Sequence, residues 1–259
     1  MNETQGLKRT ERAAKAKPPP TRGGESKRVY DGLKSSILSL ELVPGTSVDE
    51  THIAQQYGVS RTPIREALVR LQSEGLVVML PNRGANIASL DLGRIKDYLE
   101  GIDLIQRAVL QWAALRCTPN QLPAIRESAD RFERAAAEGA NDEMVLANHD
   151  FHSAIASVCG NALIADAYGR FLSEGLRIAR FTLSGRYFSR SDFENFVASV
   201  VQEHNEMVRA LETHDVELAE RVAAVHTVHT QERFAAFLKD SLSPLVKVDP
   251  LHVSMIGLM

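Results

Sequence analysis

The chain has 259 residues, of which 44% are apolar and 24% are charged. This length and composition indicate a globular protein with one large domain or two smaller ones. The longest apolar runs, such as residues 76–80, are far too short to span a bilayer, and the charged N-terminal residues lack the apolar stretch of a secretory signal. We therefore expect a cytoplasmic protein with no membrane partner.

The net charge of −3 is distributed unevenly along the chain. Residues 1–27 carry a net charge of +4, residues 28–90 carry none, and residues 91–259 carry −7. Because phosphate would repel the molecule as a whole, any affinity for nucleic acid must come from cations placed locally in the first third of the chain.

The two cysteines, Cys117 and Cys159, are far apart and match neither a CxxC nor a zinc-ribbon spacing. Such a pair predicts neither a disulfide framework nor a cysteine-based metal site. We expect two buried free thiols.

The first segment, residues 1–27, is basic, contains three consecutive prolines and has almost no bulky apolar residue. A segment of this composition cannot bury enough apolar surface to fold alone, and we expect a disordered tail. Two interpretations stay open for it: an inert solvated tail, or a flexible arm that adds phosphate contacts.

Residues 28–90 begin with three helical patterns. In the first, apolar residues recur at steps of three and four until Pro44-Gly45 ends the helix. Gly58 is suited to end the second helix, and Ser60 is a good N-cap for the third. Pro63 falls in the first turn of that third helix, where its missing N–H costs little. The predicted helices cover residues 29–40, 49–57 and 60–74.

A β-hairpin is predicted after these helices, with strands at residues 76–80 and 85–88 and a turn between them. Three helices followed by a hairpin indicate a winged helix-turn-helix. Arg83 lies at the tip of the predicted wing, where it would reach the backbone or minor groove of DNA, and Gly84 would allow close approach.

Polar side chains form one stripe on the third helix. At 100° per residue, Arg61, Arg65 and Gln72 lie together beside the apolar arc, with Thr62 next to them. Arginine can make a bidentate contact to guanine, and threonine and glutamine can contact phosphates or base edges. Each arginine alone could be an ordinary surface residue, but their joint placement favours DNA binding.

The motif GVSRTPIREAL at residues 58–68, with EGLV at 74–77 and PNRG at 81–84, closely resembles the DNA-binding domain of the GntR superfamily of regulators. The resemblance covers residues 28–90. It implies that Arg61, Thr62, Arg65 and Gly84 contact DNA. In the second helix, where some relatives have a DNA-contacting arginine, this chain has Thr51.

Beyond Asp91 the sequence shows successive amphipathic helices and almost no strand pattern. We expect an antiparallel bundle of six or seven helices over residues 91–240. The fold class is therefore mainly α, with a winged helix-turn-helix followed by an all-α bundle. Residues 241–259 contain two prolines and stay unassigned. The predicted helices lie near 91–116, 120–138, 142–159, 162–183, 191–213 and 215–239.

Three of these helices place a histidine within the apolar stripe, namely His152, His204 and His226. Asn148 precedes His152 by one helical turn and therefore shares its face. A single histidine in such a stripe is usually a hydrogen-bonded core residue, whereas three with a carboxamide suit a site for zinc, nickel or a similar divalent ion. The spacing alone leaves both interpretations open.

The same region resembles the FCD ligand-binding domain of the FadR branch of GntR regulators, over residues 91–239. The resemblance is carried by Asn148-x-x-Phe151-His152 with Gly160-Asn161, and by Glu203-His204 with Ala210-Leu211, Asp215, Ala219 and His226. It implies that Asn148, His152, His204 and His226 are metal ligands.

Two departures from the FCD pattern concern the ligands. Asn148 stands where aspartate is common, and residues 101–106 lack the arginine that usually binds an effector carboxylate. Arg177 and Arg180 are candidate replacements for that arginine, although both could also be surface residues.

These features predict a homodimeric DNA-binding transcription regulator, a repressor of metabolic genes, controlled by a small organic acid at the metal site. A dimer is expected because one winged helix buries little surface on DNA, whereas two read a palindromic operator. One alternative keeps the regulator, with a structural or empty histidine cluster and a non-carboxylate effector. A metal-dependent enzyme is a remote alternative, because no HExxH, paired-carboxylate or Ser-His-Asp motif is present.

Overall fold

The computed structural model describes residues 22–81, 83–183 and 190–242. Within these residues, three helices and a hairpin precede six further helices, which confirms the predicted fold class. The elements are α1 (Arg22–Leu38), α2 (Glu50–Tyr57), α3 (Arg61–Ser73), β1 (Val77–Leu80), β2 (Gly84–Ile87), α4 (Leu92–Arg116), α5 (Leu122–Ala137), α6 (Asn141–Val158), α7 (Ala162–Leu183), α8 (Arg190–Thr213) and α9 (Val216–Leu242).

The N-terminal domain is built around the apolar faces of α1 and α3. Its buried side chains include Val29, Ile37, Ile64 and Leu68, at the helical spacing seen in the sequence. The antiparallel strands β1 and β2 close this core, with Val77 opposite Ile87 and Leu80 opposite Gly84. The wing is thus rigidly attached to the domain that carries α3.

Local sequence determines the helix ends in this domain. Asp49 caps α2 by accepting hydrogen bonds from the backbone N–H groups of Thr51 and His52, and Gly58 ends α2 at a φ of +63°. Ser60 occupies the predicted N-cap of α3 with extended backbone, but its side chain makes no capping hydrogen bond. The helix α3 therefore begins where it was predicted to begin, but without the capping hydrogen bond expected from Ser60.

The helix α1 begins at Arg22, so residues 22–27 are helical and the predicted tail boundary at residue 27 is too late. Apolar periodicity detects only the buried part of a helix, whereas polar residues extend it into solvent at little cost. Glu25 in the first turn also interacts favourably with the helix dipole. The rest of the predicted tail, residues 1–21, lies outside the described residues.

The six C-terminal helices match the six predicted ones to within a few residues. Their largest core cluster includes Phe151, Tyr168 and Met207, together with both cysteines, which are free and buried as predicted. The helix α9 continues to Leu242, past the predicted domain end, and the remainder of the predicted extension lies outside the described residues. No helix in the described ranges is both long and apolar enough to cross a membrane.

Two glycines allow α4 and α7 to lie close together. A Cβ atom at Gly101 would lie 2.5 Å from the Phe171 ring, and one at Gly175 would lie 2.5 Å from the Tyr98 hydroxyl oxygen. Both distances are shorter than real Cβ contacts. The close approach at Gly175 is what lets Tyr98 reach into the interior of the helical domain.

Candidate functional site

The exposed face of α3 carries the predicted DNA-reading residues. Arg61, Thr62 and Arg65 are exposed on its first turns, while the opposite face is buried against α1. The Nε atom of Arg65 lies 3.5 Å from Oε2 of Glu50, the first residue of α2. This ion pair orients Arg65 while leaving 66% of its side chain exposed.

The wing presents the other two predicted residues. Arg83 is exposed next to β2, and its backbone N–H donates to the Leu80 carbonyl at 3.1 Å. Gly84 has a φ of +79°, and nothing lies within 4 Å of a Cβ built there. The turn therefore requires glycine at this position for its backbone conformation, and the surface beside it is open.

A hydrogen-bonded network that sequence reasoning missed holds the C-terminal end of α3 against α1. Tyr30 and Lys34 donate to opposite oxygens of Glu74, at 2.5 Å and 2.6 Å. The guanidinium of Arg70 lies over the Tyr30 ring, 3.8 Å from its centre. These contacts fix the orientation of α3 relative to the rest of the domain.

The three predicted histidines meet in the interior of the helical domain. His152 from α6, His204 from α8 and His226 from α9 are all buried, with ring centroids 5.0 to 5.4 Å apart. One nitrogen from each ring lies within 4.8 Å of the others. The arrangement could place all three imidazoles on a single ion.

Neighbouring side chains orient two of these rings. The Nδ1 atom of His226 lies 2.7 Å from Oε2 of Glu203, whose other oxygen pairs with His229. Because a carboxylate only accepts hydrogen bonds, Nδ1 of His226 must carry the proton, which leaves a lone pair on Nε2. Although burial opposes ionisation of Glu203, hydrogen bonds from both histidines lower its pKa.

His152 is oriented in a similar way. Its Nδ1 atom lies 3.3 Å from the Tyr168 hydroxyl, which donates its own proton to Gln106. The Tyr168 oxygen therefore accepts from Nδ1, so that the lone pair of His152 lies on Nε2. That Nε2 atom is buried and has no hydrogen-bond partner in the described protein.

His204 has no hydrogen-bond partner on either ring nitrogen among the described residues. Burial, together with the neighbouring histidines, holds the pKa values of His152 and His204 well below their usual range. Neutral imidazole is the form that binds metal ions. Buried polar atoms without partners are costly, so the orphaned nitrogens fit a site made for a divalent ion.

Asn148 lies one turn before His152 on α6 and is half-buried. Both residues line a cavity in the helical domain, to which His226 also contributes. The cavity has a volume of about 110 Å³, several times the space needed by one water molecule. Its walls are mostly apolar, and its polar lining groups include Gln106, His149 and Arg233. A small polar metabolite fits this space beside the histidines.

Arg177 and Arg180, the predicted effector-binding residues, lie elsewhere. They are neither on the cavity wall nor on the surface: Arg177 is fully buried, and the Arg180 side chain is 13% exposed. Arg177 donates to the Ala88 carbonyl just after β2, and Arg180 donates to the Leu38 carbonyl at the end of α1 at 2.7 Å. Both arginines therefore contact the DNA-binding domain.

A third arginine joins this interdomain network, which we define as Arg94, Glu174, Arg177 and Arg180. Arg94 pairs with Glu174 and donates to the Gly75 carbonyl at 2.8 Å. Arg177 donates to the same Glu174 carboxylate at 2.8 Å. Sequence reasoning missed this role because the partners are backbone carbonyls, which no residue pattern reveals.

Arg233 and Tyr98 are cavity residues that sequence reasoning also missed. Arg233 follows His226 by seven residues, so helical periodicity could have placed it on the same face. No sequence signal pointed to Tyr98, because it enters the cavity only through the close contact with Gly175.

Comparison with known proteins agrees with both parts of the structure. Residues 25–87 match the family described as bacterial regulatory proteins, gntR family, and residues 99–229 match the FCD domain. A Streptomyces ambofaciens protein, named an uncharacterized HTH-type transcriptional regulator in an unstable DNA locus, is 29% identical over 80% of this chain and 84% of its own length. The Escherichia coli K12 HTH-type transcriptional repressor RspR is 22% identical over 80% of this chain and 87% of its own length.

Solved structures show the same fold. Escherichia coli McbR/YncC superposes with a TM-score of 0.69 at 18% identity, covering 84% of this chain and 98% of its own. A GntR regulator from Rhodococcus sp. RHA1 superposes with a TM-score of 0.63 at 21% identity, covering 82% and 96%. The relatives reported above are named as transcription regulators, and none of them is named as an enzyme. The chain therefore belongs to the GntR family of DNA-binding transcription regulators, with an FCD domain following its winged helix.

Proposed function

We propose that this regulator is a repressor of metabolic genes that responds to a small organic acid bound at a metal site. His152, His204, His226 and Asn148 hold zinc or nickel, and the acid binds beside them in the cavity. This proposal rests on the convergence of three buried imidazoles. Three of their ring nitrogens have no hydrogen-bond partner in the described protein. The name of the relative RspR supports a repressor.

The charge of the site favours an anionic ligand. A bound divalent ion would act as a Lewis acid with a position open to a carboxylate oxygen. As metal ligands, the imidazoles and the carboxamide of Asn148 bring no negative charge into contact with the ion, and the Glu203 carboxylate lies behind the His226 ring. A carboxylate supplies that charge, and Glu203 and Tyr168 keep the rings of His226 and His152 correctly oriented.

The helix α7 connects the cavity to the DNA-binding domain. One face lines the cavity with Leu172, Leu176 and Ala179. The other face carries Glu174 and Arg177 of the interdomain network. A ligand that shifts α7 therefore changes the position of the winged helix. Allosteric control requires such a ligand to contact two arrangements of the protein differently.

The dimer is supported by apolar side chains left exposed on the adjoining helices α4 and α9. Exposed apolar patches on otherwise polar proteins mark interaction surfaces. We propose that a second copy of the chain covers them, which would place two winged helices on one palindromic operator. The exposed residues are Leu104, Leu115, Val225 and Val228.

The effector proposal is tested by adding small carboxylates to a complex of full-length protein and a DNA duplex selected from a random pool. Acetate, lactate, malonate, succinate and citrate are added to zinc-loaded protein, and DNA affinity is followed by fluorescence anisotropy. At least one acid is expected to weaken DNA binding by about 5- to 150-fold, the usual range of allosteric coupling. The proposal fails if an acid that calorimetry shows to bind leaves DNA affinity unchanged.

The Arg177→Met substitution tests the route through α7. It removes the hydrogen bond to the Ala88 carbonyl, while Glu174 keeps its partner Arg94. We expect the most effective acid of the panel still to bind to this variant. The ratio of DNA affinities without and with the acid should fall toward one. Arg180→Ala, which removes the bond to Leu38, should act in the same direction.

The matched control is Arg134→Met on α5, since the Arg134 side chain is 56% exposed and pairs only with Glu127 among the described residues. Its response to the acid should equal that of the wild type. Full coupling in both Arg177→Met and Arg180→Ala would show that α7 does not transmit the signal.

A further inference from the structure

Arg233 lies on the cavity wall and is held there by contacts from two other helices. Its Nη2 atom donates to the Thr182 hydroxyl of α7 at 2.9 Å, and its guanidinium lies 4.9 Å from the centre of the Phe196 ring of α8. A guanidinium has five N–H donors, so most of them remain available after the bond to Thr182. The group is thus fixed in place but not saturated.

Arg233 has no carboxylate partner among the described residues. By contrast, Arg94 and Arg177 each form an ion pair with the Glu174 carboxylate. Burial lowers the pKa of Arg233 to about 10, so it still carries its charge at neutral pH. A half-buried cation without a counter-ion is partly desolvated, which is costly, and an anion bound in the cavity would offset that cost.

Tyr98 adds a second donor on the wall that it shares with Arg233. Both Tyr98 and Arg233 line the cavity and the smaller pocket that adjoins it. The Tyr98 hydroxyl makes no hydrogen bond to a described residue, and burial raises its pKa, so it stays protonated and can donate. A hydroxyl beside a guanidinium suits the two oxygens of one carboxylate.

Arg233 and two of the histidines, His152 and His226, line the same cavity. His226 and Arg233 are two turns apart on α9, which corresponds to roughly 10 Å along the helix axis. Long side chains on a helix lean toward its N-terminus, and for Arg233 this is the direction of His226. A small molecule can therefore reach both Arg233 and His226 within one cavity of about 110 Å³.

We propose that Arg233 and Tyr98 bind a second carboxylate of the effector, so that this protein responds to small dicarboxylates rather than to monocarboxylates. The inference rests on the proposed function, in which the first carboxylate binds beside the histidines. The helical domain is acidic overall and repels anions, so two local cationic centres are needed to hold a doubly charged ligand.

The test compares succinate with butyrate and succinamate, which have the same chain length but only one carboxylate. Malonate, glutarate and adipate vary the distance between the two carboxylates. Calorimetry on zinc-loaded, full-length wild type is expected to show that a dicarboxylate binds roughly 10- to 100-fold more tightly than the monocarboxylate of equal length, as a charge-assisted contact would give.

The Arg233→Gln variant should lose this preference while keeping its zinc content and its affinity for butyrate. Arg233→Lys keeps the charge and should retain part of the preference, which also covers the case in which the glutamine variant folds poorly. Arg221→Gln is the matched control, because Arg221 is on the same helix with 64% of its side chain exposed.

Three outcomes would overturn the inference. If wild type binds succinate and the other dicarboxylates no more tightly than butyrate and succinamate, only the inference fails. If Arg233→Gln keeps the full preference for a dicarboxylate, the second carboxylate binds elsewhere. If zinc-loaded wild type binds no acid of either class, the proposed function fails and the inference fails with it.

Discussion

Replacing Arg65 with alanine is expected to abolish specific operator binding while leaving the fold and the histidine cavity intact. The Arg65 side chain is 66% exposed, and its one described ion pair, with Glu50, orients it toward solvent. A good bidentate contact to guanine contributes about 1 to 3 kcal/mol. Two copies in a dimer would therefore contribute roughly 2 to 6 kcal/mol, or about 30- to 20,000-fold in affinity.

Fluorescence anisotropy at one fixed salt concentration measures this loss, with the selected duplex and a scrambled duplex of equal length. Affinity for the scrambled duplex should change far less, because phosphate contacts dominate non-specific binding. Arg134→Ala removes the same charge from an exposed position on α5 and serves as the control. An equal loss on both duplexes would show that Arg65 binds the backbone and does not read bases.

The double variant His152→Gln, His204→Gln is expected to lose the proposed metal ion, and with it most of the thermal stabilisation that this ion would provide. A ligand at about 1,000 times its Kd stabilises the folded state by about 4 kcal/mol. For a chain of this size, that corresponds to a change in Tm of roughly 8 to 16 °C. Adding a chelator to the wild type should lower its Tm by a similar amount, and the double variant should not respond to the chelator.

Metal content per chain is measured by elemental analysis, and Tm by calorimetry. The matched control is His52→Gln, since His52 is an exposed histidine on α2, far in sequence from the cluster. If the purified wild type contains no metal and its Tm is indifferent to zinc and chelator, the histidine cluster is structural. That result would favour the alternative of a non-carboxylate effector.

The helices and the histidine cluster could be predicted because they depend on periodicity. Apolar spacing located the six helices that the structure describes after β2. His152, His204 and His226 were expected inside because each lies within an apolar stripe. The start of α1 was missed, because its first turns are polar and leave no apolar signal.

The residues that orient the histidine rings could not be predicted from periodicity. Glu203 stands next to His204 in the sequence, yet it orients His226 on another helix. Successive residues of an α-helix are rotated by about 100° around its axis, so adjacent side chains contact different partners. Which ring Glu203 would contact depended on how α8 and α9 pack.

The sequence by itself determined that the chain has a winged helix, an all-helical second domain and three inward histidines, since each follows from local spacing. Only the tertiary structure decided what the arginines do. Arg177 and Arg180 bind backbone carbonyls of the DNA-binding domain, whereas Arg233 lines the cavity. Every arginine has the same donors, and its role is determined by the partner that long-range packing brings within reach.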